Sequence, residues 1–176
     1  MIAYALDEFN ADGIIVFTRY GDANCYLADE RLRPIWKELD ARKAVVLVHP
    51  CAPADKLPLP HTLQIPGTEF PHETTRTTVD LIMSNTKWDH PNCKVILSHA
   101  GGTLPYLIGR VSISAYVGFL TSKSEDEIVA DAKPFYFDIA LSSNASVLNM
   151  LLSLCRMIIY STEATFHMVP ERDFWR

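Results

Sequence analysis

Short apolar, β-branched runs alternate along the chain with longer stretches of helical period, the pattern of βα units feeding a parallel sheet. The runs fall at residues 14–17, 44–48, 93–97, 135–139 and 157–160. The first, Ile14 to Phe17, is continuously apolar rather than alternating, as expected of a strand covered on both faces. Between them, Ile2, Leu6 and Phe9 share one helix face, and Pro34 suits the first turn of a helix directing Ile35, Trp36 and Leu39 inward. A helix is expected over 68–85 with Val79, Ile82 and Met83 inside, and Thr103 can cap the next, which buries Leu104, Leu107, Ile108 and Val111. A polar break at 121–127 leads to a short amphipathic stretch. Ser143 or Asn144 can then cap a helix with Val147, Leu148, Leu151, Leu152 and Cys155 on one stripe. Residues 50–66 are proline-punctuated and aperiodic, hence a long loop, and it would lie over whatever His49 faces.

A chain of 176 residues suits one domain, taken as residues 1–176. Five strands fit an open doubly wound sheet or part of a (β/α)8 barrel; a complete barrel takes roughly 250 residues, so about three strands would be missing. The net charge is −5 and the 16 basic residues are scattered, which gives no footprint for nucleic acid. Cys25, Cys51, Cys93 and Cys155 form no CxxC pair and read as reduced, mostly buried thiols. No basic leader with a long apolar core opens the sequence, and no window approaches the ~20 apolar residues of a membrane span, so a cytoplasmic protein without a membrane partner is expected.

In parallel α/β folds the strand C-termini converge on the ligand, which singles out residues 18–20, His49, His99, Asp138 and residues 161–163. His49 closes its strand and precedes Pro50, which holds its backbone extended; its imidazole reads either as a metal ligand or as a hydrogen-bonded histidine closing the strand. His99 repeats the placement. Gly101 and Gly102 after it allow a sharp turn that brings backbone N–H groups towards a ligand, or a simple βα turn. A catalytic zinc generally takes three protein ligands, so more are needed, and Glu163 is the acidic candidate against a solvated loop carboxylate. His61, His72, His90 and His167 fall in loops or at a helix start and are not chosen as ligands. Asp138 reads first as a packing residue.

Taken together, Val48-His49-Pro50, the run from Glu69 to Arg76 (EFPHETTR) and the run from Leu97 to Pro105 (LSHAGGTLP), with Arg110 following, resemble the amidohydrolase-related decarboxylases. That group includes the aminocarboxymuconate semialdehyde, γ-resorcylate and fungal 6-methylsalicylate decarboxylases, and the FPHETTR run looks closest to the last. The likeness runs from about Asp7 to Tyr160, leaving 161–176 as a divergent tail. It implies a partial TIM (β/α)8 barrel of the metal-dependent hydrolase type, about strands 4 to 8, without the first-strand ligand pair. By the same likeness His49 binds a divalent metal, zinc first and manganese second, His99 handles the proton, and Glu163 stands where the family carries an aspartate. Arg76, Arg19 and Arg110 are candidates to meet a substrate carboxylate. The implied activity is non-oxidative decarboxylation of a small aromatic acid of the 6-methylsalicylate kind, in a chain for which a homo-oligomer is open. A non-catalytic truncated paralogue and a hydrolase of the wider superfamily are the alternatives.

Overall fold

The computed structural model describes residues 2–21, 25–53, 65–118, 120–155 and 158–159. Its strands are β1 (Gly13–Phe17), β2 (Arg19–Tyr20), β3 (Cys25–Tyr26), β4 (Val45–His49), β5 (Lys94–Leu97), β6 (Tyr136–Asp138) and β7 (Ile158–Ile159). The helices are α1 (Arg33–Ala41), α2 (Ile65–Met83), α3 (Thr86–Asp89), α4 (Leu104–Ser112), α5 (Glu125–Ala132) and α6 (Ala145–Leu154). Five strands form one parallel sheet in the order β1-β4-β5-β6-β7, matching the five apolar runs, while β2 and β3 make a small antiparallel hairpin. Sequential neighbours joined by helices are what short right-handed βα connections produce.

Side chains alternate across the sheet, and the two faces differ. Val16, Val46, Val48, Val95, Leu97 and Phe137 are buried in one core with Trp36 and Leu39 of α1, Leu81 and Ile82 of α2, Leu104 and Ile108 of α4, Ile128 of α5 and Leu151 of α6. Each such side chain stabilises the fold by about 1.5–3 kcal/mol through removal from water. On the opposite face Ile15 and Phe17 are 65% and 48% exposed, and Val45, Leu47, His49, Ile96 and Tyr136 are only half-buried. Among the described residues, the cover expected on both faces of the first strand is found on one face.

Several local expectations are corrected. Ile2 and Leu6 pack on the core, but the helical turn Tyr4–Glu8 ends at Phe9, whose ring meets the edge of Tyr4 at 4.8 Å outside it. Ile35 and Leu152 point outward, because the α1 contact is made by Trp36 and Leu39 and the α6 contact by Leu148, Leu151 and Leu154. The second helix starts at Ile65 instead of residue 68, since Pro66 lies in its first turn, where a missing N–H breaks no helical bond. Thr103 does not cap α4. Asn144, not Ser143, caps α6 by accepting from the Val147 N–H.

Candidate functional site

The strand registers build a row across the sheet's uncovered face. Phe17 lies beside His49 in the β1–β4 pairing, Val48 pairs with Leu97, and Leu97 pairs with Phe137. One residue further along, Phe17, His49, Ser98 and Asp138 occupy successive strand ends. His49 donates its Nδ1–H to the Pro50 carbonyl at 2.8 Å, which fixes the tautomer and leaves Nε2 with a bare lone pair. Three rings surround that imidazole edge-on: Phe17 at 6.4 Å, Phe70 of α2 at 6.1 Å and His99 at 5.9 Å between centroids.

His99 is placed by a turn that sequence reasoning did not read. His99, Ala100, Gly101 and Gly102 all have positive φ, between 55° and 73°, so four successive residues run left-handed. For His99 and Ala100 that conformation costs about 1–2 kcal/mol each, strain of the kind held at functional sites. The Asp138 carboxylate holds the turn, its Oδ1 accepting from the His99 N–H at 3.1 Å and from the Ala140 N–H at 2.9 Å. Asp138, read from sequence as a packing residue, is thus the link between β6 and the His99 turn. Burial lowers the pKa of His99 below the ordinary histidine value, and His49 adds to this, while Asp138 opposes it. Its Nδ1 is buried without a hydrogen-bond partner, as is the hydroxyl of Ser98 beside it.

The expected role of the paired glycines is corrected. Their N–H groups are spent inside the turn, Gly101 donating to Ser98 O and Gly102 to His99 O, and do not face a ligand. Glycine is required because α2 and β6 come so close: a Cβ on Gly102 would overlap the Pro71 carbonyl oxygen of α2, and one on Gly101 would meet the Phe137 ring of β6 at 2.7 Å. Thr75 completes the contact, its hydroxyl accepting from the Thr103 N–H at 2.8 Å and lying 2.9 Å from Thr103 Oγ1. The EFPHETTR and LSHAGG runs are therefore two sides of one joint, with Phe70 set against His49 by the same helix.

A second joint ties α2 to the β2–β3 hairpin. Glu73, 1% exposed, accepts from the Tyr26 hydroxyl at 3.0 Å and pairs with Arg76 at 3.2 Å, and Arg76 also donates to Tyr26 Oη at 3.0 Å. Arg19 donates to the Ala52 and Gly21 carbonyls, both at 3.0 Å, and Thr77 donates to Thr18 O at 3.1 Å. Two candidate arginines are thus each fastened at one side, while Arg110 is exposed on α4. Glu73 and Tyr26 went unread because a carboxylate at a helical surface spacing carries no sign of its burial in sequence.

His49 Nε2 and the unpartnered His99 Nδ1 suit a divalent ion as nitrogen donors. Among the described residues no group of three or more His, Cys, Asp or Glu converges to complete such a site. Glu163, His61 and His167 lie outside the described residues. His72 is exposed, and His90 bonds Thr86 O at 2.8 Å through Nδ1 beside Trp36, apart from the row. Cys25, Cys93 and Cys155 are buried and Cys51 half-buried. No helix among the described residues is long and apolar enough to cross a membrane.

Comparison with known proteins gives the same picture. The chain is 46% identical over 158 residues to a 6-methylsalicylic acid decarboxylase of Aspergillus aculeatus, covering 85% of this chain and 47% of that protein. The corresponding decarboxylase of Penicillium expansum is 46% identical over 151 residues, again 85% of this chain and 47% of the relative. The chain therefore spans about half the length of the curated relatives it matches. A solved amidohydrolase II superposes with a TM-score of 0.79 at 30% identity, over 92% of this chain and 52% of that one. A 2,6-dihydroxybenzoate decarboxylase complexed with 2,6-dihydroxybenzoate shares the fold, with a TM-score of 0.72 at 21% identity over 94% and 55%. These neighbours are amidohydrolase-type TIM barrels, of which the five-stranded sheet corresponds to part. Residues 2–117, which carry His49, the α2 joint and His99, match the amidohydrolase family, and the chain belongs to it.

Proposed function

We propose that this chain carries part of the site of a metal-dependent, non-oxidative decarboxylase acting on a small aromatic acid of the 6-methylsalicylate kind. The observation that carries the reading is the pair of imidazoles 5.9 Å apart at neighbouring strand ends, each with a nitrogen that has no hydrogen-bond partner among the described residues. The fungal relatives named for 6-methylsalicylate decarboxylation support the substrate class, and structures of related fold that hold manganese with an aromatic inhibitor support a divalent ion. Zinc is the metal proposed first, with manganese the second choice. His49 holds it through Nε2, and Glu163 is proposed as a further ligand. Bound there, the metal supplies positive charge that steadies the anionic acid.

His99 handles the proton. In its protonated form the buried imidazole is a stronger acid than an ordinary histidine, and the acceptor of its proton is the ring carbon bearing the carboxylate. The new C–H bond forms there, the bond to the carboxylate breaks, its electron pair restores the aromatic ring, and carbon dioxide leaves. Arg76 and Arg19, each fastened on one side, orient the carboxylate with their remaining N–H groups. The test is the reaction of 6-methylsalicylate with the metal-loaded chain in deuterated water, followed by proton NMR. The expected product is 3-methylphenol carrying one deuterium at the former carboxylate position. Absence of the phenol after prolonged incubation would contradict the reading.

One observation favours a second reading, a non-catalytic paralogue: among the described residues only two donors converge. It is distinguished by binding of the acid without turnover.

A further inference from the structure

Two adjoining cavities open where β5 and β6 begin, at the end of the sheet opposite His49 and His99. Leu81, Ile82, Trp88 and Asp131 line the first, of about 380 Å³. Asn92, Lys94, Lys133 and Tyr136 stand in the wall of the second, of about 780 Å³, and Lys87, Pro91 and Pro134 are common to both. Cavities of this size accept a small molecule. The first is walled mainly by apolar side chains, among them the indole of Trp88, which is 72% exposed. The second adds the ammonium groups of Lys94 and Lys133 to that of Lys87.

Lys87, at the junction, is poorly answered by the protein. It is half-buried, and its Nζ reaches the His90 and Pro91 carbonyls only at 3.5 Å, the long limit of a hydrogen bond. Among the described residues it makes no ion pair. The acidic groups near it are engaged elsewhere. Asp131 pairs with Lys123 at 2.7 Å; Asp40, close enough to favour the ammonium form, accepts from the Asn92 N–H at 2.7 Å and from Asn92 Nδ2 at 3.0 Å. Cys93 is no counter-ion, because burial pushes its thiol up to about 11. Burial lowers the pKa of Lys87 itself, and an anion brought to its Nζ relieves that cost.

We propose that the two cavities form a ligand site for a small amphipathic carboxylate, its apolar body against Trp88 and its charge on Lys87. An ammonium is a compact point charge with three donors, suited to a monoanion, and Lys94 and Lys133 add attraction of the same sign. The Trp88 ring favours an aromatic body, which stacks on it. Pro91 and Pro134 are fixed in φ, so the junction loses little backbone freedom when a ligand enters. The assignment is independent of the decarboxylase reading.

The test titrates the full chain, without added metal, with 3-phenylpropionate and with its neutral counterpart 3-phenylpropan-1-ol, by calorimetry and by NMR of the isotope-labelled chain. The native chain is expected to bind the acid about tenfold more tightly than the alcohol, and Lys87→Met, which keeps the stem and removes the charge, to bind the two alike. The indole and backbone N–H signals of Trp88 should shift on titration while the amides of His49 and His99 stay in place. Equal binding of acid and alcohol by the native chain, an undiminished preference in Lys87→Met, or shifts confined to His49 and His99 overturns the proposal. So does the absence of saturable binding below about 10 mM. The melting curve of Lys87→Met is the control for its fold, and the acid–alcohol comparison on the native chain decides even where that variant unfolds.

Discussion

The two faces of the sheet are made from the same strands, one residue out of phase, and they do different work. Val46 and Val48 point into the helices and are wholly buried, whereas Leu47 and His49 between and after them face the other way and are half-buried. On the covered face the chain spends its volume on packing. On the uncovered face the polar groups of the site stand at the strand ends, among side chains that contribute less to the fold. Neighbouring positions in sequence can therefore be expected to respond to mutation in opposite currencies, stability on one side and ligand binding on the other.

The sharpest contrast is between two phenylalanines. Phe137→Ala is expected to destabilise by about 3–5 kcal/mol in chemical denaturation, because it empties a fully buried ring-sized space. Phe17→Ala should change stability by less than about 1 kcal/mol while weakening aromatic acid binding. Comparable losses in the two variants would break the distinction between the faces. Next in size, Gly102→Ala should cost about 3 kcal/mol, since an alanine there is strained at positive φ and meets the Pro71 carbonyl; a melting curve unchanged from the native chain would show that α2 is not pressed against the His99 turn. Thr75→Val tests the same joint more gently. It keeps the shape and removes the hydroxyl that accepts from Thr103, so about 1–2 kcal/mol should be lost, with faster amide exchange at Thr103 as the local signature. The smallest effect is expected at the start of α6, where Asn144→Ala removes the cap for about 1 kcal/mol while metal and acid binding are retained, as melting and binding measurements check.

These residues also show what could be read from sequence. The five strands were legible because each is a short, mainly apolar run between stretches of helical period, and His49 and His99 were legible because they stand at the ends of two of them. The faces were not, since a mainly apolar run does not say which of its sides the helices pack against. The glycines were noticed, but for their N–H groups, whereas the requirement comes from Pro71 and Phe137, partners far away in sequence. Asp138 was seen and set aside, because its bond to the His99 N–H depends on a left-handed turn that no residue preference at His99 or Ala100 announces. The Glu73, Tyr26 and Arg76 cluster is likewise tertiary: Tyr26 is 47 residues from Glu73 and joins it only once the hairpin lies on α2.

The account centres on His49 as a metal ligand poised by Pro50 on the uncovered face, and metal content tests it most directly. The chain, loaded with zinc or manganese and freed of excess by gel filtration, should retain about one equivalent by elemental analysis. His49→Ala, with an unchanged circular dichroism spectrum, should lose at least about tenfold in affinity. Retention of less than about a tenth of an equivalent by the native chain, or equal retention by His49→Ala, would contradict the account.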